Sequence, residues 1–187
     1  VLVEDVMMMT FALFPDLHQG DEFAVNVGSN CYFISDVSHL TWLPDRPYTA
    51  GEWGYVNGKG RSTTSEIYNT VDGPVYQTWM EDITEYKIDA PAGTYEVELL
   101  MADVSRPARQ QANLLGKGDE RASAASKRFD ITICGEIVEQ NFSPADNDRY
   151  LNACRRRYIV NNNDGCIDIR FTPLQGKPVL SGLKVRR

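Results

Sequence analysis

The feature of the sequence that most constrains the fold is a regular alternation of apolar and polar side chains over residues 94–101. Every second residue from Tyr95 to Met101 is apolar, and Glu96 and Glu98 stand between them. Successive side chains of a β-strand point to opposite faces of its sheet. A period of two over this length therefore predicts a strand with one buried face.

Short runs of similar character occupy most of the remaining chain. The segments that link them contain Gly, Pro, Asn and Asp, as in 161–165 and 174–178, and these residues favour tight turns. Many short strands joined by polar turns predict an all-β fold, an antiparallel β-sandwich with long loops. The predicted strands, besides 94–101, are 23–27, 83–90, 129–133, 136–142, 157–160, 166–171 and 179–185.

The length of 187 residues suits one domain with a sizeable core. We assign residues 21–187 to the sandwich and residues 1–20 to an N-terminal segment or linker from a preceding domain. The chain starts at Val1 with no recognisable signal peptide, so we expect it to be part of a longer polypeptide. The apolar stretch 6–14 is shorter than the ~20 residues that a membrane span needs.

The charge of the chain argues against a polyanionic partner. Its net charge is −7, whereas nucleic-acid binding normally requires a basic face. The basic run 155–157 is predicted to lie on a strand or its flank as a solvated edge, because charges protect an exposed strand from pairing. No nucleic-acid partner is predicted.

The potential metal-ligating residues show no recognisable motif. The chain has two histidines and four cysteines, and no two cysteines form a C-x-x-C pair, so no zinc site is predicted. No cofactor is predicted either; a structural calcium stays open, although no EF-hand loop indicates one. Disulfides also stay open, but a chain of this length does not need them and buried thiols are favoured. The cysteines are Cys31, Cys134, Cys154 and Cys166.

Two long segments interrupt the strand pattern. Residues 105–127 are polar and rich in Ala and Gly, which predicts a long exposed loop, with a short helix as an option. Residues 35–75 are also irregular but rich in aromatic side chains, which disordered segments lack. Long ordered loops in compact domains are usually functional, so we place the candidate site near this second segment.

All three tryptophans of the chain fall within residues 42–79, among acidic, amide and basic side chains. A sugar ring packs its C–H face on an aromatic ring, and its hydroxyls need paired donors and acceptors. In the stretch GEWGYVNGKGRS (51–62), glycines flank Trp53 and Tyr55, and we predict that these two form an exposed platform. For Tyr76 and Trp79, a role in the core and a role in the site remain equal alternatives.

No catalytic residue is predicted for this chain. Acidic residues are plentiful, but nothing in the sequence pairs two of them as a hydrolase would require. Asp103 is the one acid in a special position, because it follows an apolar strand. A structural cap and a place in a binding site are the two interpretations of Asp103.

Five short motifs in a fixed order give the chain its family resemblance. They are VNVG (25–28), VYQTW (75–79), PAGTYEVEL with MAD (91–99 and 101–103), RFDITI with Gly135 (128–133), and GKPVLSGLKV (176–185). The chain resembles malectin-like carbohydrate-binding domains. LTWLPD (40–45), GYV (54–56) and FSPAD (142–146) make it more similar to modules appended to bacterial glycoside hydrolase family 2 enzymes of the β-galactosidase-like kind.

This resemblance implies a jelly-roll, galactose-binding-like sandwich and a non-catalytic module of a larger secreted or periplasmic hydrolase. Its implied partners are a glycan, with galactose-containing glycans as an option, and the other domains of the parent enzyme. Tyr76 matches a tyrosine that stacks on sugar in the family, and Tyr55 matches another loosely. The aromatic pair that should follow Asp103 is missing, so Trp53, Trp79 and Asp103 complete the candidate site. The alternative is a structural module that packs against other domains and binds no sugar.

Overall fold

The computed structural model describes residues 22–104, 127–145 and 150–187. The predicted N-terminal segment 1–20 and residues 105–126 of the predicted loop lie outside the described residues. Three sheets and a single four-residue helix make up the regular structure of the described ranges.

The largest sheet has six strands. Its members are β1 (Glu22–Asn26), β2 (Phe33–Ile34), β3 (Thr41–Pro44), β8 (Gly93–Met101), β11 (Cys154–Asn162) and β14 (Gly182–Arg186), in the order β11-β8-β14-β1-β3-β2. All neighbours are antiparallel except β1 and β3, which run parallel. The predicted strand 94–101 therefore lies inside the sheet, between β11 and β14.

The second sheet has five antiparallel strands. They are β4 (Trp53–Tyr55), β7 (Glu85–Asp89), β9 (Arg128–Ile133), β10 (Glu136–Phe142) and β12 (Cys166–Gln175), in the order β10-β9-β12-β7-β4. A third, small sheet joins β5 (Lys59–Ser62), β6 (Thr78–Glu81) and β13 (Val179–Leu180) in the order β13-β6-β5. The helix α1 (Gly73–Tyr76) immediately precedes β6.

The two larger sheets pack face to face, because each strand turns its apolar set inward. From the six-stranded sheet, Tyr95, Val97, Leu99 and Met101 enter the main core as the alternation predicts. From the five-stranded sheet, every second residue of β9, Phe129 to Ile133, meets them. The predicted all-β sandwich is confirmed.

Two segments differ from their prediction. The stretch 51–62 is not one loop: it supplies β4 to the five-stranded sheet and β5 to the small sheet. Gly54 allows this course because its φ is +151°, and a Cβ there would lie 2.3 Å from the carbonyl oxygen of Arg46. The predicted strand 179–185 is also split, since the buried Ser181 carries the chain from β13 in one sheet to β14 in another.

All four cysteines are thiols in the structure, with Cys31 exposed and the other three partly buried. The prediction of thiols is confirmed, but their full burial is wrong. The basic run 155–157 lies on β11, at the edge of the six-stranded sheet, as predicted.

Candidate functional site

The outer face of the six-stranded sheet carries the polar side chains that the alternation leaves there. Strand register places Lys184 opposite Glu98 and Glu98 opposite Arg157. The adjacent row runs from Gly182 through Leu100 to Arg155. These two rows form the floor of the candidate site.

A second apolar cluster sits on this outer face and brings an irregular segment down onto the sheet. Ile67, Val75 and Tyr76, from α1 and the residues before it, pack with Trp42 and Leu100 of the sheet. The absence of a side chain at position 182 permits this approach. A Cβ there would lie 2.8 Å from Cγ1 of Val75 and 3.2 Å from Cζ3 of Trp42.

Backbone hydrogen bonds fix the segment in front of α1. The Tyr68 N–H donates to the Leu151 carbonyl at 2.8 Å, and the Ala153 N–H donates to the Tyr68 carbonyl at 2.9 Å. The Asn69 amide also donates to the side-chain oxygen of Asn152. These bonds hold 68–70 beside 151–153, at the start of β11.

The space between this segment and the sheet is a pocket of about 440 Å³, which we term the Tyr76 pocket. Its lining mixes aromatic, amide and charged groups, a composition that suits a polar ligand with one apolar face. The side chains that matter most are those of Trp42, Asn69, Asp72, Tyr76, Arg155 and Lys184.

A buried carboxylate organises the cations beside the pocket. The side chain of Glu98 is 5% exposed, and its Oε1 lies 3.2 Å from Nε of Arg155. Its Oε2 lies 3.6 Å from Nη2 of Arg157 and 3.8 Å from Nζ of Lys184. The ammonium of Lys184 also lies 5.4 Å from the Trp42 ring centroid, within cation–π range. The cations are therefore held in place by contacts below them.

The Tyr76 hydroxyl is a neutral phenol across the ordinary pH range. Burial raises its pKa well above the usual value of 10.0, while the positive charge of Arg155 opposes that shift. A neutral phenol donates one hydrogen bond and accepts others, so Tyr76 can serve a ligand hydroxyl in either role.

The predicted exposed platform at Trp53 is wrong. Trp53 is 4% exposed, and its ring meets Phe23 edge-to-face with centroids 5.1 Å apart. The guanidinium of Arg46 lies 4.4 Å from the ring centroid and covers it. Because β4 joins the five-stranded sheet, Trp53 points into the core. Tyr55, two residues later, is half-buried and packs against the same core.

The other candidates are also drawn into the structure. Trp79 is 7% exposed on β6, and Tyr76 is 3% exposed while still lining the pocket. Asp103 is 1% exposed and forms an ion pair with Lys127, and its backbone carbonyl accepts the Leu151 N–H. Of the five sequence-predicted site residues, Tyr76 lines the pocket; Trp53, Tyr55, Trp79 and Asp103 are not among its lining residues.

Sequence reasoning missed most of the pocket. Arg155 was assigned only to a solvated edge, and Lys184 was not considered. The signal for both is the period of two in β11 and β14, which puts them on the outer face with Leu100. Without the strand order, that period cannot show that the three residues meet.

Two absences apply to the described ranges alone. No group of three or more His, Cys, Asp or Glu side chains there is arranged to hold a metal ion. None of the helical structure described has the length and apolar character that a membrane crossing demands.

The fold and the pocket together define the class of this protein. It is a β-sandwich domain with a ligand-sized pocket between the outer face of one sheet and an irregular segment. The sequence model of the Malectin domain matches residues 22–182, so the chain belongs to the Malectin domain family. No curated protein sequence matches the chain significantly.

Solved structures agree with this assignment. A β-glucuronidase from Bacteroides uniformis is 44% identical with a TM-score of 0.78, over 89% of this chain and 18% of that one. Bacteroides uniformis β-glucuronidase 2 gives the same identity and TM-score, over 90% of this chain and 18% of the β-glucuronidase chain. The extracellular domain of ANXUR1 from Arabidopsis thaliana shares the fold, with a TM-score of 0.62 and 13% sequence identity. The match covers 89% of this chain and 42% of the ANXUR1 chain. The chain thus spans about a fifth of the β-glucuronidases it matches.

Proposed function

We propose that this domain is a non-catalytic glycan-binding module of a larger glycoside hydrolase, and that the Tyr76 pocket is its binding site. The observation that carries the proposal is the pocket itself. An aromatic wall at Tyr76 and Trp42 faces the amide of Asn69 and the charged groups of Asp72 and Arg155. Hydroxyl-rich ligands need such a convergence of donors and acceptors beside an apolar surface.

Within the described structure, Trp42, beneath the pocket, has an unpaired indole N–H. Its ring is fully buried, and among the described residues no acceptor reaches the indole N–H. A buried donor without a partner costs about 1–3 kcal/mol. Because this N–H is closed to water, its cost falls on the fold and it offers no contact to a ligand.

The parent polypeptide is proposed to be a glycoside hydrolase. Structures 44% identical to this domain are β-glucuronidases, in which the matched part is 18% of the chain. This supports a β-glucuronidase-like parent over the β-galactosidase-like parent that the sequence resemblance suggests. Secretion or export to the periplasm belongs to the proposal, because polymeric glycans are found outside the cell. The proposal includes no cofactor, and a structural calcium stays open.

A single sugar site of this kind is expected to be weak, about 0.1–1 mM, or −4 to −5.5 kcal/mol. Its benefit to a hydrolase is a raised effective concentration of polymer near the active site. Weak binding is therefore consistent with the proposed role.

The test is isothermal titration of the chain with neutral galactose- and glucose-containing oligosaccharides and with uronic-acid-containing ones. Tyr76→Phe removes only the hydroxyl and is expected to weaken binding about three- to tenfold, the worth of one hydrogen bond. Tyr158→Phe is the matched control. Tyr158 lies on the face of β11 opposite to Arg155, and its hydroxyl donates to Glu139 of β10. No binding at about 10 mM to any of these glycans would refute the proposal.

A second candidate function has its own observation. Tyr32, Ile34 and Val37, around the edge strand β2, are each more than 60% exposed. Exposed apolar groups at a sheet edge favour packing against a neighbouring domain. The second candidate is a structural module, and Ile34→Lys is expected to weaken the docking of the other domains without changing glycan binding.

A further inference from the structure

The charges that line the Tyr76 pocket are unequal. Two cations, Arg155 and Lys184, line it, and Asp72 is the one acid among its described lining residues. This cationic lining lies on a chain with a net charge of −7. A neutral glycan does not need two cations at its binding site.

Two acids on the outer face of the six-stranded sheet each contact more than one cation. Glu98 contacts Arg155, Arg157 and Lys184. The remaining pairs of this network link Lys184 to Glu22, and both Arg157 and Arg186 to Glu96. Three carboxylates therefore serve four cations.

Arg155 is the cation best placed to receive an anion from solution. Its side chain is 63% exposed, and its contact with Glu98 uses Nε at 3.2 Å. A guanidinium has five N–H donors in a planar fork that matches a carboxylate. The Nε edge of the fork lies beside Glu98, and the exposed side chain can meet a ligand from solution.

Lys184 sits on the far side of the same floor. It lies on β14, with β8 between it and β11, so its backbone is two strand spacings of about 10 Å from that of Arg155 across the sheet, and two residues away along the strands. Its side chain is 17% exposed and rests over Trp42. A sugar ring whose carboxylate meets Arg155 can therefore extend across Leu100 toward Lys184.

We propose that the Tyr76 pocket selects acidic glycans, with Arg155 receiving the carboxylate of a uronic acid residue and Lys184 lying toward the other end of the sugar. This inference rests on the proposed function, since it names the ligand class of the same site. The carboxylate is the group recognised, and the aromatic and amide groups around Tyr76 contact the hydroxyls of the sugar.

The experiment compares matched ligands on the 187-residue chain. Each uronic-acid-containing oligosaccharide is paired with its carboxyl-reduced, neutral form, and both are titrated by calorimetry. The acidic form is expected to bind at least about tenfold more tightly, which corresponds to 1.4 kcal/mol. Raising the salt from about 0.1 M to about 1 M shortens the screening length from about 10 Å to about 3 Å and should reduce this preference.

Arg155→Gln is expected to abolish the preference, so that the acidic and neutral forms bind the variant with similar affinity. Arg155→Lys should retain part of the preference, since it keeps the charge but loses the fork. Arg170→Gln is the control: Arg170 is 61% exposed and paired with Glu85 and Asp168, but it lies on β12 in the other sheet.

The outcomes separate the two proposals. Equal binding of the acidic and neutral forms would overturn the uronate inference and leave the proposed function standing. Binding of neither form would overturn the proposed function and the inference with it. A preference that survives Arg155→Gln would overturn the assignment of the carboxylate to Arg155.

Discussion

Asp45 is a partly buried acid that accepts hydrogen bonds from three donors. The N–H groups of Gly28 and Arg46 each reach it at 2.9 Å, and the Tyr86 hydroxyl reaches it at 3.0 Å. These bonds favour the carboxylate, but burial is the larger effect and raises the pKa of Asp45 from 3.8 to about 6. The folded chain therefore holds this proton more tightly than the unfolded chain does.

The pKa of Asp45 predicts a specific pH dependence. Because its folded pKa is raised, its contribution to stability is fully present below about pH 4 and is lost as pH rises through about 6. Across that window we expect the stability of the wild type to fall relative to Asp45→Asn, by on the order of 3 kcal/mol. Urea unfolding of both chains at each pH measures the difference. A stability difference between the two chains that stays constant with pH would contradict this expectation.

Gly182 is a position where adding a single Cβ atom is expected to lower the stability of the fold. In Gly182→Ala the new methyl group would meet Val75, Trp42 and Leu100. Overpacking of this kind costs about 1–3 kcal/mol, and Val75→Ala added to the same chain should recover much of it. Gly73→Ala is the control, because a Cβ there meets nothing within 4 Å. Thermal unfolding of the wild type, the two single variants and the double variant measures these differences. An unchanged stability of Gly182→Ala would show that the neighbouring side chains move to accommodate the methyl group.

The segment before α1 depends on a small set of bonds for its position over the sheet. We expect Asn152→Ala to remove its bonds to Asn69 and to the Tyr150 carbonyl. Hydrogen exchange at the amides of Tyr68 and Ala153 should then become faster, with a loss of about 1 kcal/mol in local stability.

Thr94→Val is the control for Asn152→Ala. It removes a comparable exposed bond to Asn161, at the opposite end of the β8–β11 pair. It should leave exchange at Tyr68 and Ala153 unchanged. Equal acceleration in both variants would show that the segment is not held by Asn152.

Strands with a clear period of two were predictable from the sequence. Segments 94–101 and 129–133 alternate because each has one face in the core, and both appear as expected in β8 and β9. The segment 51–62 was misjudged because its glycines suggest an exposed loop, whereas Gly54 instead lets β4 lie close to Arg46. Local composition does not distinguish these two uses of glycine.

The pocket was harder to predict than the strands. Tyr76 was found through a family motif, but Arg155 and Lys184 come from strands that neighbour β8 only after the sheet has formed. Trp53 shows the opposite error: a tryptophan between glycines suggests exposure, yet sheet pairing turned it inward. Both depend on strand order, which periodicity alone does not contain.

The strand order also makes the sandwich a single cooperative unit. β14, the last strand of the chain, lies between β8 and β1 in the middle of the six-stranded sheet. Leu183 and Val185 on β14 are fully buried in the core that both large sheets share. Each such side chain contributes about 1.5–3 kcal/mol, against a total stability of about 5–15 kcal/mol for an ordinary domain.

Deletion of residues 182–187 is therefore expected to abolish folding of both sheets, since it removes a central strand and separates β11 and β8 from β1, β3 and β2. Circular dichroism should show loss of the cooperative transition, and hydrogen exchange should show loss of protection in the five-stranded sheet as well. Deletion of Arg187 alone removes its bond to the Ala92 carbonyl and its contact with the Tyr95 ring, so a small loss is expected there. Protected amides in β9 and β12 after the longer deletion would instead mean that the five-stranded sheet folds independently, because those strands make no pairing contact with β14.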